Sequence, residues 1–310
     1  MGHYGKLSIG IDIGGTKTNI AVIKPNGEII EINKIKTRSD KPKKIISYLI
    51  QNINPLVNKY NNINGIGIAS AGRVIFDKKI IGYATDNLKD WTEYPIVDKL
   101  KKEFELPVYI DNDVNAALLA ELKLNKSIKD YNNIIFLTIG TGLGGAIAIN
   151  GNVIRGNTGS VGEFGHMVLY DNGIACNCGK QGCAEQYISG IAFKERLKNK
   201  FKDCGFKIKK GDFEDETIKK EIFNEHPIYI NILRKMTEDL TLLLENIKNA
   251  VDFDLAIIGG GLSVYSDIML DIINKEFTKY NHKYYHKPDF KFSQMDNKAG
   301  VIGAGLLVFD

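Results

Sequence analysis

Long apolar runs are missing from this chain of 310 residues: none reaches the roughly 18 residues that a membrane-crossing helix needs. The opening stretch, MGHYGKLSIGIDIGG, has no apolar core followed by a small-residue cleavage site, so no secretory signal is expected. Blocks of basic residues are also missing. The net charge of +4 comes from lysines scattered among acids, which leaves no footprint for nucleic acid. Cysteine is scarce, and three of the four cysteines, Cys176, Cys178 and Cys183, crowd into one short window. That clustering argues against a disulfide scaffold and for a cytoplasmic, reducing setting.

The composition is otherwise that of a globular chain. Hydrophobic residues make up 44% and charged residues 25%, enough for one large domain or two linked lobes with a sizeable core. Residues 7–13, 18–24 and 28–36 read as three strands, the second and third joined by the turn Pro25-Asn26-Gly27. Residues 41–60 carry Ile45, Ile46, Leu49, Ile50, Ile53 and Val57 at helical spacing, and 64–71 read as a buried strand. A strand at 107–113 ends on acids and leads into a helix at 114–124. Residues 133–139 then begin the same layout again. Strand, Gly/Thr-rich turn, strand, Asn-Gly turn and strand recur 126 positions after the first copy, which suggests duplicated lobes. A long amphipathic helix over 227–249, a strand running into Gly259-Gly260-Gly261 and a small-residue helix at the end complete the pattern.

Three cysteines and His166 form a complete tetrahedral set for Zn²⁺. Four protein ligands leave no open coordination position, so such a metal is structural. Gly179 and Gly182 permit a tight knuckle between Cys176, Cys178 and Cys183, and the knot would fix Glu163 and Glu185 beside it. The alternative is three reduced surface thiols with an unrelated histidine.

Asp12-Ile13-Gly14-Gly15-Thr16-Lys17 follows a buried strand. Its glycines let backbone N–H groups approach phosphate oxygens, Thr16 adds a hydroxyl, and Asp12 suits Mg²⁺ held through water. The turn through Thr141 and Gly142 offers a second cradle, and Gly260 and Gly261 a flat surface for an adenosine. A single Gly-Gly turn is often only a hairpin turn, but three in one chain point to a nucleotide. Asp113 is the candidate general base, with Asn112 beside it for a neighbouring hydroxyl. The alternative is that the acids at 111–113 simply cap the helix that follows. Glu121 reads as solvated surface.

Together DIGGTK, NDVNAALLAE, GTGLGGA, the Gly156–His166 glycine element and CNCGKQGCAE resemble the ROK family of sugar kinases over nearly the whole chain. The resemblance implies an α/β chain with the actin-like ATPase fold of hexokinases, two lobes with a central cleft. The lobes would be 1–113, completed by a helix in 297–310, and 114–296, with the zinc knuckle at 166–185. It implies ATP and Mg²⁺ at Asp12, Gly14, Gly15, Thr16, Lys17, Thr141, Gly142, Gly260 and Gly261. Asp113 would be the catalytic base, with Gly72, Asn112, Asp113, Glu163, His166 and Glu185 around the sugar. Zn²⁺ would be held by His166, Cys176, Cys178 and Cys183.

The segments 70–73 and 83–91 look like those of N-acetylmannosamine kinases, where a Gly-Arg pair and a Thr face the sugar. On that likeness Arg73 and Thr85 would read an N-acetyl group and N-acetylmannosamine is the expected acceptor. Glucose or a β-glucoside is the alternative. The partners implied are a sugar, ATP and a second copy of the chain, with no nucleic acid and no membrane. A sugar-responsive regulator of the same family is the remote alternative. Only eleven residues precede Asp12, too few for a helix-turn-helix.

Overall fold

The computed structural model describes residues 5–37, 42–84, 88, 90–205, 227–279, 286–295 and 298–310. Its contacts divide the chain into two compact units: Met1–Asn132 with Ala146–Val161 and Gln294–Asp310, and Asn133–Gly145 with Gly162–Ser293.

The first unit holds β1 (Leu7–Ile13), β2 (Lys17–Ile23), β3 (Ile29–Lys36), β4 (Ile63–Ser70) and β7 (Val108–Asn112) in one sheet of order β3-β2-β1-β4-β7. The first three pair antiparallel, and β4 and β7 add in parallel. In β1 Leu7, Ile9, Ile11 and Ile13 alternate onto one face and are all fully buried, while Ser8, Gly10 and Asp12 take the other. One face carries α1 (Pro42–Lys59) and α2 (Ile96–Phe104). Ile45, Ile46, Leu49 and Ile53 from the first helix, and Ile96, Val97 and Leu100 from the second, join the strand residues in one core. Each such side chain contributes roughly 1.5–3 kcal/mol by leaving water.

The other face is closed by α8 (Ala299–Leu306) and α3 (Asp113–Leu124). Here the packing is backbone against backbone. A methyl group on Gly67 would collide with the Ala304 carbonyl, one on Gly10 with that of Val301, and one on Gly303 with that of Ala116. Ala69, Ala116 and Ala304 fill what space is left. Because α3 is held this way, the contact boundary falls after Asn132 rather than after Asp113, where the sequence suggested it.

The second five-stranded sheet has the order β10-β9-β8-β11-β12, built from β8 (Asn133–Ile139), β9 (Leu143–Ile149), β10 (Asn152–Val153), β11 (Leu255–Gly260) and β12 (Asp289–Phe292). It repeats the plan of the first: a third, second and first strand in that order, then two later strands, which here add in parallel to β8. The duplication read from residues 7–36 and 133–153 is therefore present as strand order.

In the second unit α6 (Pro227–Val251) buries Leu233, Met236, Leu240, Leu243, Leu244 and Ile247. Near its start Ile230 is half-buried, and Tyr229 and Ile232 take the buried places. A further small sheet pairs β5 (Arg73–Ile75) with β6 (Ile80–Tyr83) in the first unit. The helices α4 (Glu185–Ile188), α5 (Gly190–Asp203) and α7 (Ser266–Lys279) belong to the second. Among the described residues no helix is long and apolar enough to cross a membrane.

Candidate active site

In the first unit the parallel strands β1, β4 and β7 end together, and the candidate residues Asp12, Gly72, Asn112 and Asp113 lie at or just beyond their ends. Asp12 lies one residue from the end of β1. Its carboxylate accepts from Asn19 Nδ2 at 3.2 Å, and burial pushes it up to about 6, with help from the charge of Asp113 and some relief from Asn19. The residue facing it is Gly300, where a methyl would come within 3.1 Å of the carboxyl carbon. The turn after β1 closes through Gly14 N–H donating to the Lys17 carbonyl at 3.1 Å. Gly15 and Thr16 stand between them, partly or fully exposed.

At the end of β4, Gly72 has φ +100°, a backbone that L side chains rarely adopt. A methyl there would collide with the Tyr83 carbonyl. Gly72 in turn accepts from Asn112 Nδ2 at 2.9 Å.

The junction of β7 and α3 is densely hydrogen-bonded. Asn112 is the N-cap of α3: its Oδ1 accepts from the N–H groups of Val114 at 2.9 Å and Asn115 at 3.2 Å. Its Nδ2 donates to Asp113 Oδ1 at 2.9 Å as well as to Gly72. Capping thus falls to Asn112, while Asp113 opens the helix with Oδ1 accepting from Asn112 and from Val114 N–H at 3.0 Å. Both donors and both acceptor positions of the Asn112 amide are engaged by protein. A sugar hydroxyl bound there would have to replace one of them.

Behind these residues lies Asp111, only 1% exposed. Its Oδ1 accepts from Asn112 N–H at 2.8 Å and Asn115 Nδ2 at 3.0 Å, and its Oδ2 from Arg155 Nε at 2.7 Å. Burial pushes this carboxyl up, and the Arg155 charge offsets part of the rise.

Arg73 is half-buried, with its guanidinium 5.4 Å from the centre of the Tyr83 ring across the β5–β6 hairpin. Thr85 lies outside the described residues. Trp91, at the end of the 83–91 segment that resembles a sugar-facing one, is a fully buried core residue that stacks on Tyr94 and donates to Ser70 Oγ at 3.4 Å. Glu121, read as solvated surface, is fully buried and accepts from Asn125 Nδ2 at 2.9 Å.

In the second unit, β8 and β11 run parallel with Ile139 opposite Gly260, which brings both glycine turns to one edge. Gly260 has φ +100°, and a methyl there would collide with the Ile139 carbonyl. Gly261 N–H donates to that same carbonyl at 3.0 Å. In the other turn, Gly140 N–H donates to the Gly142 carbonyl at 3.0 Å, and the Gly140 carbonyl accepts from Gly190 N–H at 2.8 Å. Thr141, Gly142, Gly260 and Gly261 are therefore neighbours at the strand ends, where α/β sheets bind ligands.

His166, Cys176, Cys178 and Cys183 converge: their donor atoms all lie within 4.8 Å of one another. His166 Nδ1 is 3.7 Å from Cys176 Sγ, and Cys178 Sγ is 3.5 Å from Cys183 Sγ. The thiols are free rather than paired as disulfides. Burial and the neighbouring thiols push Cys183 up to about 12, while the Lys180 backbone amide brings Cys178 down. Without a cation this cluster resists ionising fully, and a divalent metal would remove that penalty, so the donor set suits Zn²⁺.

The loop bends sharply at Gly179 and Gly182, both with positive φ, and a methyl on Gly182 would collide with the Tyr170 carbonyl. Tyr170 anchors the knuckle to α6 through a 2.6 Å hydrogen bond to the buried Asp239, which Arg196 also grips at 2.9 Å. His166 Nε2 faces Glu163, 3.9 Å from Oε2. The Glu185 side chain, at the start of α4, accepts from Leu143 N–H at 2.9 Å.

Sequence reasoning missed Arg155, Asn19 and Gly300. Arg155 and Gly300 matter only through partners distant in the chain, Asn19 through Asp12 across the β1–β2 turn, and only the glycine-rich run that follows Arg155 drew attention to its neighbourhood.

Strand ends carrying acids and phosphate-type turns, set in two sheets of one plan, define the actin-like ATPase fold of sugar kinases. The sequence profile of the ROK family matches residues 8–310, and the chain belongs to that family. It is 32% identical over 309 residues to the glucokinase of Streptomyces coelicolor, covering 96% of each chain. It is 27% identical to an N-acetylmannosamine kinase of Haemophilus influenzae, covering 97% of this chain and 95% of the other. A ROK family glucokinase from Streptomyces griseus, solved with glucose and AMPPNP, superposes with a TM-score of 0.83 at 29% identity, covering 97% and 98%. Family and fold place the chain among the ROK sugar kinases, ATP-dependent phosphotransferases.

Proposed function

We propose that the protein transfers the γ-phosphoryl group of ATP to the 6-hydroxyl of a hexose, with Asp113 as general base. The observation that carries this reading is the position of Asp113. It sits at a strand–helix junction, its carboxylate steered by Asn112 and Val114 and close enough to Asp12 for their charges to interact. In the proposed step Asp113 takes the proton of the sugar hydroxyl as that oxygen attacks the γ-phosphorus, and ADP leaves with the electron pair. Gly72, Asn112, Glu163, His166 and Glu185 orient the sugar, with Asn112 exchanging one of its protein partners for a hydroxyl. The turn of Gly14, Gly15, Thr16 and Lys17, with Thr141, Gly142, Gly260 and Gly261, holds the nucleotide. Asp12 would hold Mg²⁺ through water, and the bound ion supplies charge neutralisation on the phosphates. Zn²⁺ on His166, Cys176, Cys178 and Cys183 would be structural, leaving His166 Nε2 for Glu163 or a sugar hydroxyl.

Glucose is the acceptor we favour. The N-acetylmannosamine reading leaned on Arg73 and Thr85, and the Arg73 guanidinium is engaged with Tyr83 of its own hairpin. The glucokinase relative is also the more similar one, at 32% against 27%. N-acetylmannosamine stands as the second reading because Arg73 directly follows Gly72. A panel of glucose, N-acetylglucosamine, N-acetylmannosamine, fructose and cellobiose with ATP tests both, with phosphorus NMR to locate the phosphate. Glucose 6-phosphate formed with the highest kcat/KM supports the first reading. Preference for N-acetylmannosamine replaces it with the second, and turnover of no sugar overturns the kinase reading.

We also propose a homodimer built on the second unit, which carries the exposed apolar side chains Val168, Ile174 and Ile191. Light scattering that gives a concentration-independent monomer of 34.5 kDa would rule it out.

A further inference from the structure

We infer that Arg155 is a positioning residue for the catalytic turn, acting on Asp113 through Asp111. The inference rests on the reading of Asp113 as the base.

Arg155 follows β10 by two residues and its side chain is 18% exposed. Three contacts hold the guanidinium. Nε donates to Asp111 Oδ2 at 2.7 Å, Nη1 donates to the Val153 carbonyl at 3.3 Å, and the group lies 3.9 Å from the centre of the Phe76 ring. Nη2 is buried and has no hydrogen-bond partner. A cation fixed this firmly and desolvated on one side is not a surface charge.

Its partner decides what it does. The other oxygen of Asp111 is spent on Asn112 N–H and Asn115 Nδ2, from the residue just before Asp113 and the one two positions after it. Asn112 then passes the constraint on, because its Nδ2 donates to Asp113 Oδ1. From Arg155 to the base there are thus three successive hydrogen bonds, each 2.7–2.9 Å long.

The charge matters as well as the geometry. Asp111 is a buried carboxylate directly before Asn112 and Asp113, at strand ends to which the proposed function assigns a sugar and a polyphosphate. An ionised Asp111 without Arg155 would add negative charge where negative charge is least welcome. Protonated, it would lose acceptor strength toward the turn. Arg155 lets Asp111 stay ionised and hold the turn while adding no net charge. Displacing a catalytic group by about 1 Å can lower the rate by around a hundred-fold.

The test compares Arg155→Met, Arg155→Lys, Asp111→Asn and the double variant Arg155→Met/Asp111→Asn with wild type. It measures kcat, the KM values for sugar and ATP, and thermal melting. Arg155→Met is expected to lower kcat by roughly ten- to hundred-fold with the KM for ATP nearly unchanged. Arg155→Lys, which keeps the charge, should recover most of that loss. In the double variant the orphaned carboxylate is gone, so kcat should exceed that of Arg155→Met alone, a coupling that independent sites do not show. A wild-type kcat in Arg155→Met would overturn the proposal. So would a lysine variant as impaired as methionine, or a double variant whose losses simply add. Should Arg155→Met not fold, the lysine and asparagine variants decide by the same kcat criterion. An Asp113→Asn enzyme with full activity would instead remove the base assignment, which is a separate failure.

Discussion

The Glu185 carboxylate accepts the backbone N–H of Leu143 at 2.9 Å, and the Gly142 Cα between them faces the same oxygen so closely that a methyl there would strike it. A residue assigned to the sugar thereby closes a turn assigned to the nucleotide. Gly142→Ala should push Glu185 off its amide and disturb both at once. A hydrogen bond to a charged group is worth about 1.5–3 kcal/mol, so kcat/KM should fall roughly ten- to hundred-fold by the usual conversion of free energy to rate. Glu185→Gln keeps an acceptor and should lose less than Glu185→Ala. Steady-state kinetics on the three variants checks the order.

Asp113→Asn preserves size and the hydrogen bonds from Asn112 and Val114 but removes the proton acceptor. The expected loss in kcat is roughly 10²–10⁴-fold, the range of a general base. Calorimetric titration should show sugar affinity largely retained, and activity within a few-fold of wild type would exclude Asp113 from the role.

Elemental analysis should find one zinc per chain, absent from Cys178→Ser. Losing a closed metal site loosens the loop that ends at Glu185, so both the melting temperature and sugar affinity should drop. A metal-free enzyme with full activity and unchanged melting would make the cluster incidental.

Glu245 on α6 provides a pH signature. Its Oε1 is buried without a hydrogen-bond partner, and burial, followed by the charge of Glu276, pushes the carboxyl up to about 7 from the usual 4.5. The folded state therefore holds this proton more tightly than the unfolded one. Stability falls as pH rises from about 4.5 to about 7 and stays lower above that window. Glu245→Gln removes the penalty. After discounting for solvent around a half-buried group, the gain at about pH 8 should be about 1 kcal/mol, a rise of a few degrees in Tm. Near pH 4 the two proteins should differ far less in their pH trend, and parallel melting curves at both pH values would refute the account.

Strands β1, β8 and β11 were legible because each is a short apolar run that meets glycine at its end, as in LSIGIDI before Gly14-Gly15. The convergence of His166, Cys176, Cys178 and Cys183 was legible because the four are close in the chain. Trp91 was not, since a large aromatic looks the same in sequence whether it lines a site or fills a core. Glu121 was misread for the reason that burial of a carboxylate depends on a partner, here Asn125, that no periodicity signals. Arg155 and Asp111 are 44 residues apart, and nothing local pairs them. The domain boundary shifted because α3 is gripped by a helix that the chain reaches only at its very end.

That last grip has a consequence for how the protein is made. Strand β1 precedes α8 in the chain by almost the whole second unit, so the face it offers to Val301 and Gly305 stays uncovered until that helix has been made. At roughly 5–20 residues per second, synthesis leaves that surface open for tens of seconds. All residues of the second unit have been made by Ser293, before the first has its last helix. A nascent chain stalled there would carry one unit able to fold and one unable to close, and a chaperone that binds apolar β-surface would meet the earlier-made half last.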